Sequence, residues 1–292
     1  MNKKSLVVLL AALFLVPNTA FSKLSKAERD LVIISHLDPG SAKTKQFWKD
    51  VYTVIEREGV NMVRAHIGRK YRKVHVLRSK LRDSKPTVTL KTVVNLLNKV
   101  TRRSKTRAVD MMWMTHGLDG GRIQLQKTVV KEGDKINKNL SVEDDIAKAI
   151  GGALSRRQRA KFRMIFSTAC WGASHIRGWL KVGFKAASGS RAVFTDAAAS
   201  YPRFLNNWRA GRTFRKAVDK ANTTQKHDLS DKFVAKLKRF SRFRVDSFRL
   251  TSGQTCMTID SSPSMLCRRK TRPSKTRKKK RRMKMKMKSS AK

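Results

Sequence analysis

Apolar and polar positions alternate along this chain with two different periods. Short apolar runs bounded by turn residues read as buried strands at 31–35, 74–77, 108–115, 162–168 and 192–195. Between them the spacing changes to that of a helix. Phe47, Val51, Val54 and Ile55 mark the first, Leu90, Val93, Val94 and Leu97 the second, and Ile146, Ala149, Ile150 and Ala153 the third. Ser141, followed three residues later by Asp144, opens the third helix in the manner of a capping box. Further helical pieces are predicted at 176–185, 203–209 and 213–221, and residues 122–130 read as a small strand excursion. Strands alternating with helices of this length predict an α/β fold, a mainly parallel sheet covered on both faces. Past Asp228 the pattern changes. Phe233, Leu237 and Phe240 suggest a helix, 243–250 extended chain and 256–259 a final strand, either closing the same sheet or forming an appendage.

Ligands of such sheets bind beyond the carboxyl ends of the strands. Two reactive side chains fall there: His116 just past the third predicted strand and Cys170 just past the fourth. The segments Met111-Met112-Trp113-Met114-Thr115-His116-Gly117 and Met164-Ile165-Phe166-Ser167-Thr168-Ala169-Cys170 resemble the caspase-like cysteine peptidases (clan CD: caspases, metacaspases, legumains, clostripain and gingipains). The segment from Trp208 to Val218 looks like the helix-starting stretch that follows their fifth strand. The resemblance implies a caspase-like, mainly parallel sheet of about six strands with helices on both faces. It also implies an endopeptidase that works through a thioester on Cys170 with His116 as its partner, and needs no cofactor. The N–H groups of Gly117 and Cys170 would face the oxyanion. By the same resemblance, the substrate pocket draws on residues after the first and fifth strands, here His36, Asp38 and Asp196. Asp196 is the candidate acid for a basic substrate side chain, against the alternative of a helix cap or surface turn. Clostripain-like enzymes and metacaspases carry an acid two residues before the cysteine. Here that residue is Thr168, which puts their Arg/Lys preference in doubt.

The residue types suit the chemistry. A thiol attacks poorly and a thiolate well, so a nearby imidazole that removes the proton and later protonates the leaving amine serves both halves of acyl transfer. Taken singly, a cysteine after an apolar strand is usually a small buried hydrophobe, and a histidine beside glycine a loop residue. The weight lies in the pair, in order, each at a strand end. His175 reads as a partly exposed helix histidine. There is no HExxH or paired CxxC for zinc and no GxxxxGK for nucleotide phosphates, so no metal is expected.

Composition adds a second theme. The 292 residues are 40% hydrophobic, enough for a sizeable core, yet 68 Lys and Arg face 20 Asp and Glu, a formal charge of +48. Residues 268–292 hold 15 of those bases and no acid, and read as a disordered basic tail. At the other end, two early lysines, an apolar run at 6–16 and small residues at 20–22 read as a signal peptide, 1–22, rather than a membrane anchor. The expected organisation is therefore 1–22 signal, 23–225 catalytic domain, 226–267 extension and 268–292 tail, exported to the periplasm or beyond. Of three cysteines, Cys256 and Cys267 flank a turn and are placed to close a disulfide loop, leaving Cys170 free. Two basic clusters, Arg102-Arg103-Lys105-Arg107 and Arg156-Arg157-Arg159-Lys161-Arg163, keep a rival open: a non-catalytic binder of anionic polymers, nucleic acid or membrane surfaces. Aromatics interleaved with bases are sparse, so sequence-specific nucleic-acid binding is not expected. A peptide or protein is the partner the enzyme hypothesis demands.

Overall fold

A computed structural model describes residues 23–37, 46–79, 87–127, 137–194, 197–222, 231–233, 235–236, 242–265 and 267. The expected signal segment, the tail, Asp38 and Asp196 lie outside these residues. In chain order the strands are β1 (Arg29–His36), β2 (Lys73–Arg78), β3 (Ala108–Thr115), β4 (Gly117–Leu118), β5 (Arg122–Gln126), β6 (Asn137–Ser141), β7 (Phe162–Ser167), β8 (Ala186–Ser190) and β9 (Arg249–Gly253). Six form one sheet in the order β2-β1-β3-β7-β8-β9, parallel except for antiparallel β9, and β4-β5-β6 form a small antiparallel sheet. The sheet is thus α/β and mainly parallel, with β3 and β7 as direct neighbours.

Every residue of β1, β3 and β7 is buried, as expected of central strands covered on both faces. Val109, Met111 and Trp113 of β3 pack on one side with Leu97 of α2 (Leu90–Arg102), Ile150 of α3 (Ala147–Ala153) and Trp179 of α5 (Gly172–Val182). Met112 and Met114 pack on the other with Val63 of α1 (Gln46–Ile67), Phe204 of α6 (Ala197–Arg209) and Phe214 of α7 (Phe214–Asn222). A four-residue helix, α4 (Arg156–Arg159), precedes β7. Among the described residues no helix is long and apolar enough to cross a membrane.

Several expectations are corrected. The fifth strand is 186–190 rather than 192–195. Its sequence, AASGS, is small instead of apolar, because Gly189 must lie against Gly172. A Cβ on Gly189 would come within 2.1 Å of the Gly172 carbonyl carbon. The last strand is Arg249–Gly253; Met257 and Ile259 fill the core without pairing as a strand, held there by loop contacts. Val54 and Ile55 do not face the core; each is 47% exposed, and α1 buries Glu56, Val60 and Val63 instead. The Ser141 cap does form, but Asp145 answers the Ser141 N–H, at 2.8 Å, and the helix opens as a π turn.

At the amino ends of the strands, Asp110 and Arg163 form a fully buried ion pair between β3 and β7. Tyr71 donates to Asp110 at 2.6 Å, and Trp208 Nε1 donates to Tyr71 at 3.1 Å. Arg163 also donates to the carbonyls of Ile259 (2.7 Å) and Ser261 (2.6 Å). This removes Arg163 from the surface cluster to which its sequence neighbours assign it. The segment it binds is closed by a Cys256–Cys267 disulfide.

Candidate active site

The carboxyl ends of β3 and β7 bring His116 and Cys170 to one rim. Main-chain contact does the positioning. Gly117 lies so close to Cys170 that a Cβ there would come within 2.0 Å of the Cys170 carbonyl oxygen and 2.9 Å of its nitrogen. Glycine is therefore required for the two loops to touch. A second contact of the same kind, Gly172 on Gly189, seats the start of α5 on β8.

Between these two contacts the chain turns sharply. Trp171 has φ 51°, a left-handed conformation that costs a bulky residue roughly 1–3 kcal/mol and persists only where its surroundings enforce it. Here they do. Trp171 N–H donates to the Ala192 carbonyl at 2.8 Å, its ring meets Phe243 edge-on, and its carbonyl accepts from Ser174 N–H (2.9 Å) and Oγ (2.7 Å). Ser174 Oγ in turn accepts from Gly121 N–H, so the turn after His116 and the turn after Cys170 are bonded to each other.

Cys170 is half-buried and is the free cysteine among the described residues. Burial pushes its thiol pKa up, against the N–H of Phe194, which donates to Sγ at 3.4 Å, and its own amide. The resting sulfur is thus a thiol and needs a base. His116 Nε2 lies 2.8 Å from the Leu37 carbonyl. A carbonyl only accepts, so Nε2 carries the proton and the lone pair of the neutral ring sits on Nδ1. The Leu37 peptide is itself anchored, because its N–H donates to the buried carboxylate of Glu56, which also receives Ser79 Oγ at 2.7 Å. Tyr52 packs edge-on to the imidazole, centroids 5.4 Å apart. Neither Glu56 nor Tyr52 carries a sequence signal of this role; both lie on α1, inside an ordinary helical pattern.

The remaining candidates are scattered along the same rim. His36 is fully buried at the end of β1, level with Thr115, with Nε2 3.1 Å from Asn137 Oδ1. Thr168 is half-buried; its N–H donates to the Trp113 carbonyl at 2.8 Å and its hydroxyl faces the same oxygen at 3.4 Å. His175 is fully buried, not partly exposed. Desolvation lowers its pKa to about 4, against the backbone of Leu118 and Arg122, which raises it, so it stays neutral.

No family model and no curated protein matches the chain. Solved structures do. Caspase-1 from Spodoptera frugiperda overlaps 84% of this chain and 95% of its own at 13% identity and TM-score 0.49. The Drosophila initiator caspase Dronc overlaps 85% and 88% at 10% and 0.43. A secreted C11 cysteine protease from Bacteroides thetaiotaomicron overlaps 78% and 66% at 10% and 0.44. The architecture itself is a six-stranded, mainly parallel sheet with both motifs at adjacent strand ends. Identities this low leave the chemistry to be read from the residues themselves.

Proposed function

We propose that this chain is an exported cysteine endopeptidase in which Cys170 is the nucleophile and His116 its acid–base partner. The observation that carries this reading is the Gly117–Cys170 backbone contact, which joins the two motifs at one point on the rim. His116 Nδ1 takes the thiol proton and Sγ attacks the peptide carbonyl. The tetrahedral oxyanion is met by the N–H groups of Gly117 and Cys170, each such donor being worth about 3 kcal/mol in the transition state. Collapse expels the amine, which leaves with the proton from His116, and water then hydrolyses the thioester by the same route in reverse. The anchored Leu37 carbonyl keeps the imidazole in the tautomer this sequence of events requires. Asp38, His36, Thr168 and Asp196 are the proposed lining of the substrate pocket, with Asp196 favouring a basic side chain.

Residues 1–22 are proposed to direct export, and the tail to hold the enzyme near anionic surfaces. The +48 charge independently favours the rival, a non-catalytic polyanion binder of the same fold. One experiment separates them. Iodoacetamide is expected to label Cys170 stoichiometrically, and a panel of fluorogenic peptides differing in the residue before the cut to reveal hydrolysis that Cys170→Ala abolishes and His116→Ala lowers about a hundredfold or more. Hydrolysis that survives both substitutions removes the enzyme proposal. Salt-sensitive heparin retention without any hydrolysis leaves the binder.

A further inference from the structure

The two basic clusters of the sequence, some fifty residues apart, line one cavity. It has a volume of about 720 Å³ and is walled by the end of α2 with the loop after it, by α4 with the residues leading into β7, and by the turn at 262–264. Both chain segments precede the strands that carry the candidate dyad. The cavity therefore lies at the opposite end of the sheet, about 25 Å away for an eight-residue strand at ~3.3 Å per residue.

Its charges are unbalanced. Of the lining cations, Arg107 is paired, to Glu28 at 2.7 Å. Arg102, Arg157 and Lys161 form no ion pair with any described residue. Lys161 Nζ instead donates to the carbonyls of Thr101 (2.6 Å) and Arg103 (3.1 Å), where α2 ends, which neutralises the negative pole of that helix facing the cavity. Burial and the Arg157 charge both lower the Lys161 pKa, so the cluster is under like-charge repulsion that a bound anion relieves. Ser262 and Ser264 add hydroxyls on the third wall. Guanidinium forks match tetrahedral oxyanions two oxygens at a time, and the volume exceeds what one phosphate fills.

We propose that this cavity is a binding site for a small oligophosphate, two or more linked phosphates held by Arg102, Arg157 and Lys161. The site is independent of the dyad and stands whether or not the chain hydrolyses peptides.

Sodium tripolyphosphate is the probe, titrated calorimetrically into the full chain at low salt. Two variants are compared, each short of two positive charges and both retaining the tail: Arg102→Gln/Arg157→Gln in the cavity, and Lys138→Gln/Lys148→Gln at exposed positions outside it. Saturable binding is expected to weaken about a hundredfold in the first, at about tenfold per charged hydrogen-bonding partner removed, and less than twofold in the second. Equal weakening in both, no change in the first, or the absence of saturable binding would overturn the proposal. So would a single-stranded oligonucleotide whose binding depends on Arg102 and Arg157 while tripolyphosphate shows none, because the ligand would then be nucleic acid.

Discussion

At the amino ends of β3 and β7, side chains hold the molecule together. Asp110 and Arg163 are buried as charges, Tyr71 and Trp208 extend their network, and a disulfide-closed segment is drawn over the top through Arg163. At the carboxyl ends of the same strands, backbone holds it. Gly117 rests on Cys170, Gly172 on Gly189, and the polar groups that matter most are the carbonyls of Leu37, Ala192 and Trp171. One end spends its ionisable groups on being fixed. The other presents a thiol and an imidazole and fixes them mainly through backbone, with the buried Glu56 carboxylate beneath Leu37.

The contrast predicts that the two ends fail differently. The largest effect belongs to the reactive rim: Cys170→Ala is expected to abolish hydrolysis, and His116→Ala to lower it by about 10²–10⁴-fold, with thermal melting of both close to that of the parent. Next comes Asp110→Ala. It strands the Arg163 charge in the core and is expected to cost about 3–5 kcal/mol in urea unfolding, while the fraction that remains folded still reacts at Cys170. A mutant that kept its stability would show the pair to be dispensable.

His175 joins the two themes, being ionisable yet at the rim. Its folded pKa, about 4, lies below the 6.5 of an unburied imidazole, so the unfolded chain binds the proton more readily. Its contribution is complete above pH 6.5 and is lost as pH falls towards 4, about 3 kcal/mol in all. His175→Gln should remove that part of the acid destabilisation, measured as the difference in unfolding free energy between pH 7 and pH 4; an unchanged difference would place the titration elsewhere. The smallest effect is expected from Cys256→Ser/Cys267→Ser. Opening a loop of separation 11 should lower stability by about 2–3 kcal/mol and leave the rate of Cys170 labelling unchanged, because the loop is at the far end.

Legibility in the sequence followed the same division. The central strands were visible because 31–35, 108–115 and 162–168 are continuous apolar runs, as doubly covered parallel strands must be. The strand 186–190 was not, because its register depends on a glycine-to-glycine approach and its residues are small. His116 and Cys170 were found as reactive types at strand ends. Leu37 and Glu56 were missed because a carbonyl leaves no mark in a sequence and one acid in a helix looks like solvent-facing charge. The basic clusters were read as linear patches. Folding sends Arg163 inward and gathers Arg102, Arg157 and Lys161 around one hollow.

Location of the sulfur by main-chain contact has a consequence for redesign. The loop bearing Cys170 is indexed against its neighbours by atoms every residue type possesses, except at three glycine positions where a single methyl would force the touching backbones apart. Side chains around the rim can then be exchanged wholesale to alter what is admitted, with the reacting atoms staying where they are. Gly117, Gly172 and Gly189 are the positions to leave untouched in any such library.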